Sequence, residues 1–367
     1  MKSNIPIAAF FSGIKDHRLD RKKEHHLVDI ITITISSVIC GAENWNDVEM
    51  YGKVREPWYK TFLDLPNGIP SHDTFNRFFA QLDPLAFETC FKQWVASLTG
   101  ITRGQLVSID GKTIRGSKSN GPKSAIHMVS AWASDNNVVL GQLKVNDKSN
   151  EITAIPRLLE ALFLENSLVS IDAMGCQRNI AAAILDKKAD YLLAVKENQK
   201  ELYRDIIDTF RFSKSMEVVQ DIDIGHGRVE TRKCTIVNDL SHIAGKDEWR
   251  GLKTLIRLES ERFIKSTGKQ ETAIRYYISS KTASADYFQQ NIRSHWAIEN
   301  KLHWMLDVVF HEDISRKRAG NAAQNFSLVN KIALTLLRNE TSVKIGVKGR
   351  RLLAGWDNNF LLKVLNF

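Results

Sequence analysis

The stretch LVSID occurs twice in the chain, at residues 106–110 and again at 168–172, and each copy ends on an aspartate, Asp110 and Asp172. The residues before each aspartate are nearly all apolar, as expected for central strands that are buried on both faces. An α/β sheet binds ligands at the carboxyl ends of its strands. If the two strands are neighbours, the repeat predicts two carboxylates that converge there. The alternative is that each aspartate only caps the turn or helix that follows it.

Three runs rich in β-branched residues follow from residue 105, namely QLVSID, IHMVSAWAS and NVVLGQLKV, and turn-forming residues separate them. This spacing is typical of antiparallel hairpin strands. From about residue 151 to 212, helical and extended patterns alternate, which predicts crossover units and a partly parallel sheet with helices on its faces. The expected fold class is therefore α/β, with a mixed sheet and flanking helices.

Two further changes of pattern divide the chain. Residues 216–280 are mostly strand-like, which predicts a β-rich insertion, and helical patterns resume after it. The first hundred residues are helical in pattern and rich in aromatic side chains. We therefore expect a helical N-terminal domain over residues 1–100, an α/β domain with the insertion over 101–340, and a basic C-terminal tail over 341–367.

Within the N-terminal region, the segment GIPSHDTFNRFFAQLDP at residues 68–84 predicts a helix that Ser71 caps. Its polar side carries His72, Asn76 and Arg77, and such a helix could enter a DNA groove. The alternative is an amphipathic helix that only packs against the rest of the protein.

The composition favours a globular protein with a polyanionic partner. The chain has 367 residues, of which 43% are hydrophobic, and its formal net charge is +9. A basic balance of this kind favours nucleic acid as the partner. The four cysteines form no C-x-x-C pair, so the pattern indicates neither a zinc site nor a disulfide framework.

The N-terminus lacks the pattern of a secretory signal peptide. The one membrane candidate, LVDIITITISSVICG at residues 27–41, is shorter than the roughly 20 residues that a span requires. We expect a buried element there, no membrane association, and a cytoplasmic protein.

A third acidic residue is expected further along the chain. In RSHWAIENKLHWMLDVVF, helical spacing places His295, Glu299 and His303 on one stripe. An adjacent apolar stripe would dock this helix on the sheet, and it comprises Ile298, Leu302, Met305 and Val309. The alternative is a solvated Glu299 that pairs with Lys301 or Arg293.

The three acids suggest a metal site. Convergent carboxylates repel one another unless they share a cation or a proton. Oxygen ligands with open positions suit Mg²⁺ or Mn²⁺. Asp110, Asp172 and Glu299 are therefore the candidate metal ligands.

Two cations follow the first aspartate in GKTIRGSK. We interpret Lys112 and Arg115 as contacts to phosphate groups, with Gly111 and Gly116 permitting a close approach of the backbone. The alternative is a solvated hairpin end, since lysine and arginine are usually exposed.

Other polar and basic residues are candidate DNA contacts. Lys196 and Asn198 follow the predicted strand DYLLAV and so lie at another carboxyl end. Arg316, Lys317 and Arg318 form a basic run, and four more basic residues lie in the tail, namely Lys344, Lys348, Arg350 and Arg351. The alternative for such runs is a solvated face.

Several of these segments occur together, in order, in one family. They are the motifs SIDGKTIRGS, HMVSAWAS, VSIDAMGCQ, YLLAVKENQ, GHGRVETRKC and RSHWAIENKLHWMLDVVFHED, with GIPSHDTFNRFFAQLDP upstream, and the similarity that they carry runs from about residue 15 to 340. The chain closely resembles insertion-sequence transposases of the acidic-triad (DDE) type, and the nearest subgroup is the H-repeat-associated proteins. The resemblance implies a ribonuclease H-like fold, with Asp110, Asp172 and Glu299 as the first-strand Asp, the fourth-strand Asp and the helix Glu.

The chain departs from the wider superfamily beside its glutamate. Where that superfamily has a Tyr, an Arg and a Lys, this sequence has Ile292, His295 and Leu306. The candidates for the corresponding DNA contacts are therefore nearby polar residues, namely Arg293, His295, Lys301 and His303.

The resemblance implies two-metal phosphoryl transfer on DNA. Two Mg²⁺ or Mn²⁺ ions would activate the attacking hydroxyl and stabilise the leaving oxygen. The expected activity is strand cleavage and strand transfer at insertion-sequence ends, and the resemblance implies a homodimer because two ends must be cut together. The alternatives are a metal-dependent nuclease that does not join strands, and a catalytically inactive DNA-binding remnant.

Overall fold

The computed structural model describes residues 7–16, 18, 23–98, 104–118, 125–145, 150–225 and 227–365. Its first five strands are β1 (Leu106–Ile114), β2 (Ile126–Ala133), β3 (Val138–Val145), β4 (Leu168–Ile171) and β5 (Asp190–Val195). Strands β1, β2 and β3 pair antiparallel, whereas β4 lies parallel to both β1 and β5. The order β3-β2-β1-β4-β5 with this pattern of directions is ribonuclease H-like, as expected from the sequence.

Four more strands extend the same sheet. They are β6 (Glu217–Gly225), β7 (Arg228–Val237), β8 (Thr254–Ile264) and β9 (Lys269–Ser279). Strand β9 pairs antiparallel with β5, and β6 forms the far edge. The β-rich insertion predicted at 216–280 is therefore present, and it continues the central sheet.

Helices cover both faces of the sheet and supply much of the apolar core. Between the strands lie α6 (Glu151–Glu160), α7 (Arg178–Asp186) and α8 (Lys200–Phe212). After the insertion come α9 (Ala285–His295), a π-helical segment (Ile298–His303), α10 (Trp304–Val308) and α11 (Ala322–Asn339). Helix α11 is buried over most of its length, because helices from the N-terminal region pack on one side of it and strand β3 packs on another.

The N-terminal region contains five helices, α1 (Ile7–Phe11), α2 (Leu27–Ile39), α3 (Trp45–Tyr59), α4 (His72–Gln81) and α5 (Pro84–Leu98). Helix α2, the former membrane candidate, is buried against its neighbours. Across the described ranges, no helix has both the length and the apolar character needed to cross a bilayer. Helix α4 begins where predicted, because the Ser71 hydroxyl accepts a hydrogen bond from the Thr74 N–H.

The described part of the basic tail folds onto the protein. Residues beyond 340 form α12 (Val347–Trp356) and α13 (Asn358–Leu365), whose apolar side chains join the core. Arg351 is buried and its guanidinium donates to the carbonyls of Val38, Ile39 and Val309. Arg350 donates to backbone carbonyls too. Both side chains therefore hold the tail to the rest of the protein through hydrogen bonds. The sequence had indicated them as candidate DNA contacts.

The central strands should carry much of the stability. Leu193 in β5 has no exposed surface, so Leu193→Ala should lower the free energy of unfolding by about 2–5 kcal/mol, through lost burial and a residual cavity. Urea unfolding of the full chain measures the change. The matched substitution Leu85→Ala, at a side chain that is 66% exposed, should change it by less than about 0.5 kcal/mol. Equal effects at the two sites would contradict the assignment of the core.

Candidate active site

The two LVSID strands are parallel neighbours in matching register. Leu106 lies opposite Leu168 and Ile109 opposite Ile171, so Asp110 and Asp172 follow at the same edge of the sheet. Asp172 also accepts hydrogen bonds from the N–H groups of Met174 and Gly175, at 3.1 and 3.4 Å from Oδ1. Asp172 therefore caps the turn that follows it, and it also lies at the same sheet edge as Asp110.

The carboxylates at this edge act on one another electrostatically. The pKa of Asp172 is raised by burial and by the charges of Glu151 and Asp110. The pKa of Glu299 is raised by burial and by Asp110, while His303 opposes that shift. Both shifts have the sign expected for like charges held together in a partly desolvated site.

Glu299 reaches this edge from a π-helical segment. The segment Ile298–His303 interrupts the helix between α9 and α10, and such wide turns are frequent at functional sites. Ile298, Leu302 and Leu306 are completely buried on its inner side, whereas Met305 is only partly buried. Sequence periodicity predicted Met305 in this stripe, because it assumed a regular α-helix. Met305 still packs against the core, and the wider turn adds the fully buried Leu306 to the inner side.

The predicted histidines face the same edge. His303 Nε2 lies 3.2 Å from Asp110 Oδ2. His295 Nδ1 lies 2.7 Å from the Ser170 hydroxyl, which in turn donates to the Ser108 hydroxyl at 3.3 Å. Burial lowers the pKa of His295, although the Asp110 charge opposes this. The two serines are the central residues of the two LVSID copies, so the repeat also provides the polar support for His295.

Of the two predicted phosphate contacts after Asp110, only one faces solvent. Arg115 has a side chain that is 85% exposed, and its Nε lies 3.6 Å from Asp313. Lys112 turns inward, where its ammonium pairs with Asp307 and with Glu312, the latter at 3.0 Å. The charge of Lys112 is thus neutralised within the protein, and a phosphate contact would require these pairs to open.

Of the remaining predicted DNA contacts, some are exposed and others are bonded to residues of the protein. Lys196 and Lys301 are exposed. Asn198 donates to the carbonyl of Ala173 at 2.7 Å, which fixes the turn after Asp172. Arg293 pairs with Asp221 and with Asp223 of β6, the latter at 2.5 Å, and so ties α9 to the insertion.

A hydrogen-bonded chain beside the two aspartates was missed by the sequence analysis. Thr113 Oγ1 lies 2.8 Å from His127 Nδ1, and His127 Nε2 lies 2.6 Å from Glu151 Oε1. A Cβ atom at Gly111 would stand only 2.2 Å from that Glu151 oxygen. Glu151 is the first residue of α6, and only the fold brings that helix end to the strand carrying Asp110. No spacing rule connects them.

The donor chemistry fits a hard divalent cation. Asp110, Asp172 and Glu299 offer only oxygen ligands, and carboxylates such as Asp172 and Glu299, whose pKa values are raised by burial and by the Asp110 charge, gain from a shared cation. In their described positions, however, no three His, Cys, Asp or Glu side chains are spaced so as to hold a metal ion. The oxygen donors are thus of the kind that Mg²⁺ or Mn²⁺ prefers. Among the described residues, they are not yet arranged as a complete set of metal ligands.

The space at Gly111 should be occupied by the His127–Glu151 pair. Gly111→Ala places a methyl group against both side chains and should destabilise the protein by about 1–3 kcal/mol in urea unfolding. The cost should shrink when Glu151 is also replaced by alanine, because the two positions interact directly. Gly225→Ala, where the added atom meets nothing within 4 Å, is the control. An equal cost of Gly111→Ala with and without Glu151 would contradict the contact.

Burial and repulsion at this edge should make the charged form of Asp172 destabilise the folded protein. Since the pKa of Asp172 is raised by folding, the folded state gains protons, and stability falls as the pH rises from the ordinary aspartate value of 3.8 through the folded pKa. Asp172→Asn keeps the capping acceptor and removes the charge. In chelator at pH 7 it should raise the melting temperature, and the gain should disappear below about pH 4.

The matched control for this experiment is Asp208→Asn, at an exposed position on α8, which should leave the melting temperature unchanged at both pH values. A lower melting temperature for Asp172→Asn at pH 7 would contradict the electrostatic description of the edge.

Comparison with known proteins gives a consistent result. The family model described as "Transposase DDE domain" matches residues 102–336, and the model described as "DDE_Tnp_1-associated" matches residues 8–95. "Putative transposase YncI" of Escherichia coli O157:H7 is 46% identical over 363 residues, covering 97% of this chain and 93% of that protein. "H repeat-associated putative transposase YhhI" of Escherichia coli K12 is 40% identical, covering 96% of each.

Among solved structures, the piggyBac transposase synaptic complex with hairpin DNA aligns with 97% of this chain and 75% of that chain, at 11% identity and a TM-score of 0.46. The family assignment rests on the sequence matches, which span both the N-terminal helices and the sheet domain. The chain belongs to the DDE transposase family, and its relatives include H-repeat-associated members of that family.

Proposed function

We propose that this protein is an active DNA transposase that cleaves the ends of an insertion sequence and joins them to target DNA. The observation that carries the proposal is the in-register pairing of β1 with β4, which brings Asp110 and Asp172 to one edge of the sheet. Glu299 lies near enough to this edge for the Asp110 charge to add to the burial that raises its pKa. Membership of the DDE transposase family supports the reaction type.

Asp110, Asp172 and Glu299 would hold the divalent ions. When bound, two Mg²⁺ or Mn²⁺ ions would supply Lewis-acid activation of the attacking hydroxyl and stabilisation of the leaving oxygen. The positive charge would offset the burial and the repulsion that together raise the pKa of Asp172 and Glu299.

The residues around the carboxylates would position them. Ser170 orients His295 beneath the edge, and Asn198 fixes the turn after Asp172. His303 holds a nitrogen 3.2 Å from Asp110. Arg115, Lys196 and Lys301 remain exposed and would contact phosphate groups of the bound strand.

DNA would be the macromolecular partner, in keeping with the net charge of +9. Joining two ends of one element requires two active sites, so we expect a homodimer in the active complex. A nuclease that cuts without joining would use the same carboxylates, and a binding remnant would use none of them. Reaction products therefore distinguish the three functions.

The test is an assay on supercoiled DNA that carries the gene's own flanking sequences, with Mg²⁺ or Mn²⁺. The wild-type chain should nick the flanks and transfer the released 3′ ends to a second DNA molecule. Asp110→Asn, Asp172→Asn and Glu299→Gln should each lower cleavage by at least about 100-fold, because each removes charge stabilisation worth several kcal/mol. Asp208→Asn should cleave as the wild type does.

The outcomes separate the proposals. Cleavage without any joined product would favour the nuclease. Binding of the flanks without cleavage in either metal would favour the remnant. Full activity of Asp110→Asn would contradict the site itself.

A further inference from the structure

The basic run after α10 divides between the interior and the surface. Lys317 is buried, its ammonium donates to the carbonyl of Glu43, and it lies 3.5 Å from the ring centroid of Phe326. Burial lowers its pKa to about 7. The two residues beside it, Arg316 and Arg318, are exposed. Lys317 thus anchors an extended segment that presents the two flanking guanidinium groups to solvent.

This segment is joined to the end of the strand that carries Asp110. Arg318 Nε donates to the carbonyl of Gly116 at 3.1 Å, and a Cβ atom at Gly116 would stand only 2.5 Å from the carbonyl oxygen of Ser315. The Arg115 N–H also donates to Asp313 at 3.4 Å. Arg115, Arg316 and Arg318 therefore belong to one locally fixed surface, which we call the arginine ridge.

The ridge carries more positive charge than its surroundings neutralise. Within the described part of the chain, neither Arg316 nor Arg318 has a carboxylate within ion-pair distance, and Arg115 has only Asp313, at 3.6 Å. Like charges held together on a fixed surface are best stabilised by a polyanion that supplies one negative charge to each.

A cleft of about 550 Å³ borders the ridge. Arg316 and Arg318 line it, together with Asn46 of α3 and with His72 and Asn76 on the polar side of α4. Two carboxylates also line the cleft. Glu43 lies 2.6 Å from His311, and Asp73 lies 3.6 Å from His72, whose ring is held by Glu49 at 2.7 Å. The basic run and the polar side of α4 thus line the same cleft.

We propose that the arginine ridge and this cleft bind the phosphodiester backbone of DNA beside the cut, and that the residues of α4 that line the cleft contact the same DNA segment. Arg115 lies five residues beyond Asp110 on an extended chain, a reach of about 16 Å at roughly 3.3 Å per residue. Successive phosphates of one strand advance roughly 3.4 Å along a duplex. The ridge therefore lies within reach of phosphates a few nucleotides from the scissile one. This inference rests on the proposed function, since it requires DNA in the active site.

Equilibrium binding to the flanking DNA in chelator tests the ridge without any contribution from metal or cleavage. The variant Arg316→Gln/Arg318→Gln is compared with the wild type over a series of salt concentrations. Each lost phosphate contact lowers the slope of log K against log salt by about 0.9, so the double variant should lower it by about 1.8. Its binding deficit should be largest at low salt.

The matched control is Lys253→Gln/Lys265→Gln, which removes the same charge from exposed positions of the insertion. It should leave the salt slope unchanged. A slope in the ridge variant equal to that of the wild type would overturn the proposal, as would an equal loss in the control. If wild-type protein fails to bind the flanks at any salt, the proposed function fails with it. If the wild-type protein binds the flanks and the ridge variant has the same salt slope, the proposed function stands and the assignment of the ridge fails.

A second readout locates the contact. Neutral methylphosphonate substitutions are placed singly along the flank, from one to ten nucleotides from the cut. Wild-type binding should weaken at a few adjacent positions beside the cut, and the ridge variant should lose sensitivity at those that Arg316 and Arg318 contact. Sensitivity that the ridge variant retains at these positions would contradict the assignment.

Discussion

The parallel pairing of β1 with β4 is the constraint on which the rest of the site depends. Ile109 opposite Ile171 fixes the register, and a shift by one residue would turn one aspartate to the opposite face of the sheet. The same register brings Ser108 and Ser170 together under His295. One pairing therefore sets both the carboxylates and the polar layer that supports the helix carrying Glu299.

A buried ionic chain connects this strand to the N-terminal helices. Lys112, two residues after Asp110, pairs with Glu312, whose charge also interacts with Lys331 of α11. Glu88 of α5 accepts a hydrogen bond from the N–H of Gln142, and burial raises its pKa to about 7. Buried charges of this kind are strongly destabilising when one partner is removed. The charge of Lys331 acts on both Glu312 and Glu88, so α5 is connected through it to the strand that carries Asp110.

Much of the fold follows from local patterns. The alternation of strands and helices and the insertion were predicted, because buried strands and turn residues have strong local signals. The sequence left open whether the two LVSID strands are neighbours, and the structure shows that they are. Contacts that join distant segments were not predicted. Glu151 contacts Gly111 only because α6 packs there, and Lys112 pairs with residues about 200 positions away in the sequence. The π-helical turn places Leu306, in addition to Met305, on the buried side.

The central claim is that Asp110, Asp172 and Glu299 share divalent cations, and calorimetric titration of Mn²⁺ into the full chain tests it most directly. Wild-type protein should bind the ion, and Asp110→Asn should weaken binding by at least about tenfold, since it removes a charged oxygen ligand. Asp208→Asn should bind as the wild type does. Mn²⁺ binding of equal strength in the wild type and in Asp110→Asn would contradict the account.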